Sequence, residues 1–213
     1  MKQHLIVEGK DYYFIGTLCR KHFERPIGFT EKTERQFLKG GSGFIDTLNT
    51  FIDAFDNPDL TNIGLIVDAD FGILTARFDV IIAALSKKLN RDFSKYALDT
   101  EGVIIAEEGI PIIGIWLMPD NKNNGYLEYF IEQLIDEDDD ILVLAKSAIE
   151  DMMTQKYCRF TEFKKQKAIL YSWLAWQENP GLPFGTALEA GYLNHQKPFL
   201  KPFLNWIGRS FQF

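Results

Sequence analysis

Cysteine is scarce in this chain: Cys19 and Cys158 are the only two, and they stand far apart. A disulfide framework is therefore excluded as an organising device, and a reduced, cytoplasmic setting is the expectation. Histidine is nearly as scarce, with three residues, so no Cys/His cluster has zinc spacing. No apolar run reaches membrane-spanning length, and the N-terminus lacks the pattern of a secretory signal. The sequence reads as a soluble intracellular protein with no membrane partner. Positive charge is also short, with a formal net charge of −7. That argues against a broadly basic, non-specific nucleic-acid binder and leaves room for a local basic groove. No internal repeat is visible.

What the chain does have is apolar residues in abundance. They make up 46% of 213 residues, with 18 Phe and 4 Trp, which is enough for a sizeable core. The length suits one α/β domain with an appendage, or two small domains.

One stretch organises the rest. Leu65-Ile66-Val67 reads as a buried strand, and Asp68-Ala69-Asp70-Phe71-Gly72 follows where the strand should end. Spacing two places both carboxylates on one side of an extended chain, where like charges repel. A hard divalent cation removes that repulsion, and Mg²⁺ is commonly held by one or two carboxylates with water and phosphate oxygens. A helix cap or a turn explains the same aspartates more plainly. The N-terminus repeats the pattern: Leu5-Ile6-Val7 ends in Glu8, then Gly9-Lys10-Asp11. In open α/β sheets functional groups gather at the carboxyl ends of strands, so parallel neighbours would bring Glu8 to Asp68 and Asp70.

The chain in order predicts β-α-β-α-β-α-β-β over the first 118 residues. A strand over 5–8 leads into a helix with Phe14, Ile15, Leu18, Cys19 and Phe23 on one face, capped by Asp11 and ended at Glu24-Arg25-Pro26. A strand over 33–38 leads into Lys39-Gly40-Gly41-Ser42-Gly43. This resembles a phosphate cradle but lacks Walker spacing; a turn with Ser42 as helix cap is the plainer account. Helices over about 44–55 and 73–89 flank the central strand, and strands over 103–106 and 112–118 form a late hairpin. Asp120 follows the last strand exit, where it could approach the same metal or simply serve turn chemistry. Asp136-Glu137-Asp138-Asp139-Asp140 reads as a solvated boundary. Beyond it lie helices over 141–153, 160–177, 186–194 and 202–211, whose aromatics read as packing anchors. The fold expected is α/β: a mostly parallel sheet flanked by helices over residues 1–135, with a helical C-terminal extension over 141–213 packed on it.

Val7-Glu8-Gly9-Lys10-Asp11, the turn at Gly40-Gly41 and Val67-Asp68-Ala69-Asp70 together resemble the Toprim superfamily. That domain is shared by topoisomerases, bacterial-type primases, recombination-mediator proteins and overcoming-lysogenisation-defect-type nucleases. Trp116-Leu117-Met118-Pro119-Asp120-Asn121 and Trp173-Leu174-Ala175-Trp176-Gln177 extend the likeness to a prokaryotic stand-alone Toprim-like family of unknown function with a helical tail. The resemblance implies Glu8 as general acid/base and Asp68 and Asp70 as ligands of Mg²⁺ or Mn²⁺. Gly72 stands where topoisomerases carry a third aspartate, which is closer to the primase and nuclease pattern. No topoisomerase tyrosine is identifiable among the eight tyrosines. Phosphodiester attack needs a metal to offset charge on phosphate and a proton acceptor, for which Glu8 is placed; Lys10 is near enough in sequence to touch a phosphate. The expectation is therefore a metal-dependent nuclease acting on DNA or RNA. The alternative is a weakly catalytic or non-catalytic module that binds nucleic acid, nucleotide or a partner protein, in a system such as phage defence.

Overall fold

A computed structural model describes residues 1–9, 12–23, 28–29, 34–41 and 43–212. Lys10, Asp11, Glu24, Arg25, Pro26 and Ser42, to which the sequence assigned a catalytic contact, helix caps and a helix stop, lie outside the described residues.

The described strands are β1 (Lys2–Val7), β2 (Gly28–Phe29), β3 (Glu34–Lys39), β4 (Leu60–Asp68), β5 (Val103–Ile105) and β6 (Ile112–Met118). They form one sheet in the order β2-β3-β1-β4-β6-β5. The four inner strands run parallel. The edge strands β2 and β5 are antiparallel to their neighbours. Of these, β5–β6 is the expected hairpin, while two-residue β2 carries no alternation that a sequence reading could detect.

Strand alternation sorts the side chains. Ile63, Leu65 and Val67 of β4 and Ile113, Ile115 and Leu117 of β6 join one buried cluster. Helices α2 (Phe44–Asp53) and α3 (Leu74–Leu89) cover that face with Leu48, Phe51, Phe78, Ile81 and Leu85. Leu5, Val7, Ile66, Trp116 and Met118 point the other way, into a second cluster. That face is covered by α1 (Tyr12–His22), α4 (Leu127–Glu132), α5 (Asp140–Thr154), α6 (Lys165–Ala175), α7 (Phe184–Glu189) and α8 (Lys201–Phe211). The fold is thus an α/β three-layer arrangement whose C-terminal helices complete one layer. Among the described residues no helix is long and apolar enough to cross a membrane.

Two glycines explain how α8 reaches the sheet. Gly64 and Gly114 are register partners on β4 and β6. A Cβ on Gly64 would stand 2.7 Å from Leu5 Cδ1 and 3.0 Å from the Phe211 ring. One on Gly114 would stand 2.3 Å from Ser210 Oγ and 3.1 Å from the Trp206 ring. Strand glycines mark close approach, and here the approaching element is the last helix. Asn62 pins it further, donating from Nδ2 to the Ser210 carbonyl at 2.8 Å. Gly114→Ala is expected to overpack this seat and lower stability by about 1–3 kcal/mol, read by urea unfolding.

The acidic run is more than a solvated boundary. Asp139 caps α5, accepting from Leu142 N at 2.7 Å, and it also accepts from Trp173 Nε1 at 3.2 Å. Asp136 accepts from Asn194 Nδ2 at 3.1 Å. The expected helix over 160–177 divides into a 3₁₀ turn at Glu162–Lys164 and α6. Trp173 is buried on α6, whereas Trp176 is 48% exposed.

Candidate active site

The carboxyl edge of the parallel strands carries the chemistry. Lys39 ends β3, Val7 ends β1 beside it, and Asp68 ends β4 beside Met118. Glu8 continues the β1 path: its N–H donates to the Ile66 carbonyl at 3.0 Å. Its Oε2 accepts from the Asp68 N–H at 3.1 Å. Lys39, Glu8 and Asp68 therefore stand on three successive strands, which follows from parallel pairing of strand exits.

These three residues line a cavity of about 690 Å³. The C-terminal helices line it too, with Lys167 and Tyr171 of α6 and Phe184 of α7, and α1 adds Tyr13. Lys167 stands 3.1 Å from Glu128 Oε1, at the start of α4. Lys165 pairs instead with Glu150 and Glu162, so the lysine cluster over 164–167 is divided between ion pairs.

Burial pushes the Glu8 carboxyl above the usual carboxylate range. The Asp68 N–H and the Arg77 guanidinium pull it back, and the Asp70 charge adds to the rise. A carboxyl poised upward in a cleft suits proton transfer.

Asp68 and Asp70 part company. Asp68 Oδ1 accepts from Leu127 N at 3.0 Å, which fixes the carboxylate over the N-terminus of α4. Asp70 sits past the end of β4 in the left-handed region, at φ 53°. Its N–H donates to the Gly125 carbonyl at 2.7 Å, and Gly125 N–H returns the bond at 3.0 Å. Left-handed backbone breaks the two-residue alternation on which the shared-side expectation rested. The Asp70 side chain pairs with Arg77 of α3. Arg77 Nη1 also donates to the Asp68 carbonyl at 2.7 Å and lies 3.7 Å from Glu8 Oε2. Glu8 and Asp70 are thus bridged by a guanidinium.

Asp120 closes its own turn. Its Oδ1 accepts from Lys122 N at 3.1 Å and Asn123 N at 2.7 Å, and its Oδ2 from Asn123 Nδ2 at 2.6 Å. The glycine turn after β3 spends its amides internally: Gly40 N donates to the Val7 carbonyl at 2.7 Å and Gly41 N to Thr47 Oγ1 at 2.9 Å. Those two N–H groups do not cradle a phosphate. Cys19 is fully buried, and burial pushes its thiol up to about 12, so it is not set up as a nucleophile. Burial likewise raises Tyr126, whose hydroxyl donates to the Phe163 carbonyl at 2.6 Å.

Among the described residues, no group of three or more His, Cys, Asp and Glu is arranged to hold a metal ion. Glu8 and Asp68 line the cleft, and carboxylate oxygens are the donor type that holds Mg²⁺ together with water and phosphate oxygens. Arg77 is the residue that reading the sequence missed. Its signal was position: a cation on the first turn of the helix that leaves an acidic strand exit. The α6 and α7 wall had no local signal.

Residues 2–212 match a family described as Protein of unknown function (DUF3226). No curated protein and no solved structure matches the chain.

Proposed function

The chain belongs to the DUF3226 family, whose description carries no activity, and from the site geometry we propose that it is a Mg²⁺- or Mn²⁺-dependent enzyme acting on phosphodiester bonds, a Toprim-type nuclease. One observation carries the reading. Glu8 and Asp68 adjoin at the carboxyl ends of neighbouring parallel strands, inside a cleft that Lys39 and Lys167 also line.

Glu8 and Asp68 would hold the cation, which when bound offsets charge on phosphate and lowers the pKa of a nucleophilic water. The protein's own groups supply the rest. Lys39 and Lys167 offer ammonium groups to phosphate oxygens. Leu127 N holds the Asp68 carboxylate in one orientation. Glu8, beside Asp68 in the cleft, is placed to take or return the proton. Tyr13, Tyr171 and Phe184 present ring surface to a base.

The test is a nuclease assay on single-stranded and duplex DNA and RNA with Mg²⁺ or Mn²⁺. Cleavage of single strands, abolished by chelator, is the expected outcome. A chain that cuts none of them is not a nuclease.

One observation favours the other reading, a module that binds nucleic acid, nucleotide or a partner without cutting. Arg77 already neutralises the carboxylates it touches. On that reading oligonucleotide binds and no product forms.

A further inference from the structure

Arg77 stands between Glu8 and Asp70. It lies at the first turn of α3, its side chain only 12% exposed, with its guanidinium 4.6 Å above the Phe44 ring. One end pairs with Asp70, and the other reaches the Asp68 carbonyl and Glu8. The seat is imperfect, because buried Nε has no hydrogen-bond partner. A guanidinium pairs best through a two-pronged fork, and here the prongs are divided between different elements.

We propose that Arg77 is a built-in counterion that competes at Glu8 with the divalent cation held by Glu8 and Asp68, so that loading metal displaces its side chain. The proposal rests on the metal-dependent reading and deepens it. Two like charges within a few ångströms of the same carboxylates cannot both be well satisfied. Room for the displaced side chain exists: Arg77 itself lines an open, mostly apolar groove of about 510 Å³ together with Phe44, Ile45, Asp46, Ile73 and Val80. The Asp70 backbone does not have to move, because its pair of hydrogen bonds to Gly125 is independent of Arg77. Arg77 is thus a positioning residue: it keeps the carboxylates in place without metal, at the cost of weak metal affinity.

The coupling predicts opposite signs for metal affinity and for metal-free stability. Arg77→Gln should bind Mn²⁺ more tightly than wild type, by about tenfold, within the usual range of linked sites. Its melting temperature should be lower without Mn²⁺ and climb more steeply with it. Arg77→Lys, which keeps the charge, should stay near wild-type affinity. A merely structural arginine would weaken or leave unchanged the affinity on removal. Calorimetry with Mn²⁺ alone reads this directly. If wild type binds and Arg77→Gln binds equally or less well, the competition is overturned and the metal-dependent reading stands. If only Arg77→Gln binds, the competition holds and the wild-type chain is not a metal enzyme. If neither binds, both fall. Wild type supplies an arm that needs no folded variant: labelling of Arg77 by phenylglyoxal, read by peptide mass, should accelerate when Mn²⁺ is added. Unchanged or slower labelling overturns the proposal.

Discussion

Replacing Glu8 by Gln is expected to reduce nuclease turnover by about 10²–10⁴-fold, the usual worth of a positioned proton acceptor. The amide keeps the size of the carboxyl and an oxygen able to accept from the Asp68 N–H, which now bonds Glu8 Oε2 at 3.1 Å. It removes the group that can take up a proton. Metal binding should fall less than turnover, because Asp68 remains. Asp68→Asn is the contrasting variant. It removes a charged donor from the cleft while the side-chain oxygen still accepts from Leu127 N, so metal affinity and turnover should fall together. Initial rates with Mg²⁺ and calorimetry with Mn²⁺ separate the two. Glu8→Gln cutting as fast as wild type would end the assignment of Glu8 as base.

The second large effect concerns the C-terminal helices. Trp173→Ala is expected to cost about 3–5 kcal/mol, as deletion of a large buried aromatic does. Trp173 is 1% exposed within the cluster that also contains Leu5, Val7 and Trp116 of the sheet. Its indole N–H donates to the Asp139 carboxylate that caps α5, so truncation also leaves that carboxylate with one donor fewer. Trp176, three residues on and half exposed, should cost under about 1 kcal/mol when changed to Ala. Because one cluster spans the sheet and the C-terminal helices, Trp173→Ala should lower a single melting transition. An early separate transition, with the remainder unaffected, would show instead that the helices fold on their own. The cleft makes this matter for function, since its outer wall is α6 and α7.

What the sequence determined by itself was whatever is written in local periodicity. The runs Leu5–Val7, Leu65–Val67 and Ile112–Met118 are strands because they are apolar, partly β-branched and bounded by turn residues. The helices over 44–53 and 74–89 follow from apolar spacing of three and four. Alternating with parallel strands, they leave little choice but an α/β sheet, and Glu8 and Asp68 at neighbouring strand ends are a consequence of that topology. Only the tertiary structure decided the rest, because it depends on contacts far apart in the chain. Whether Asp70 faces the cleft turns on one left-handed residue held by Gly125, fifty-five positions away. Which cation meets the carboxylates turns on where α3 starts relative to β4, and that places Arg77. Trp173 is buried and Trp176 exposed because α6 ends at Ala175: Trp173 packs within the helix beside α5 and its cap Asp139, while Trp176 falls on the cap beyond it. Gly64 and Gly114 look like weak points in two strands until α8 packs on them, and then their missing side chains are what lets the last helix close the fold.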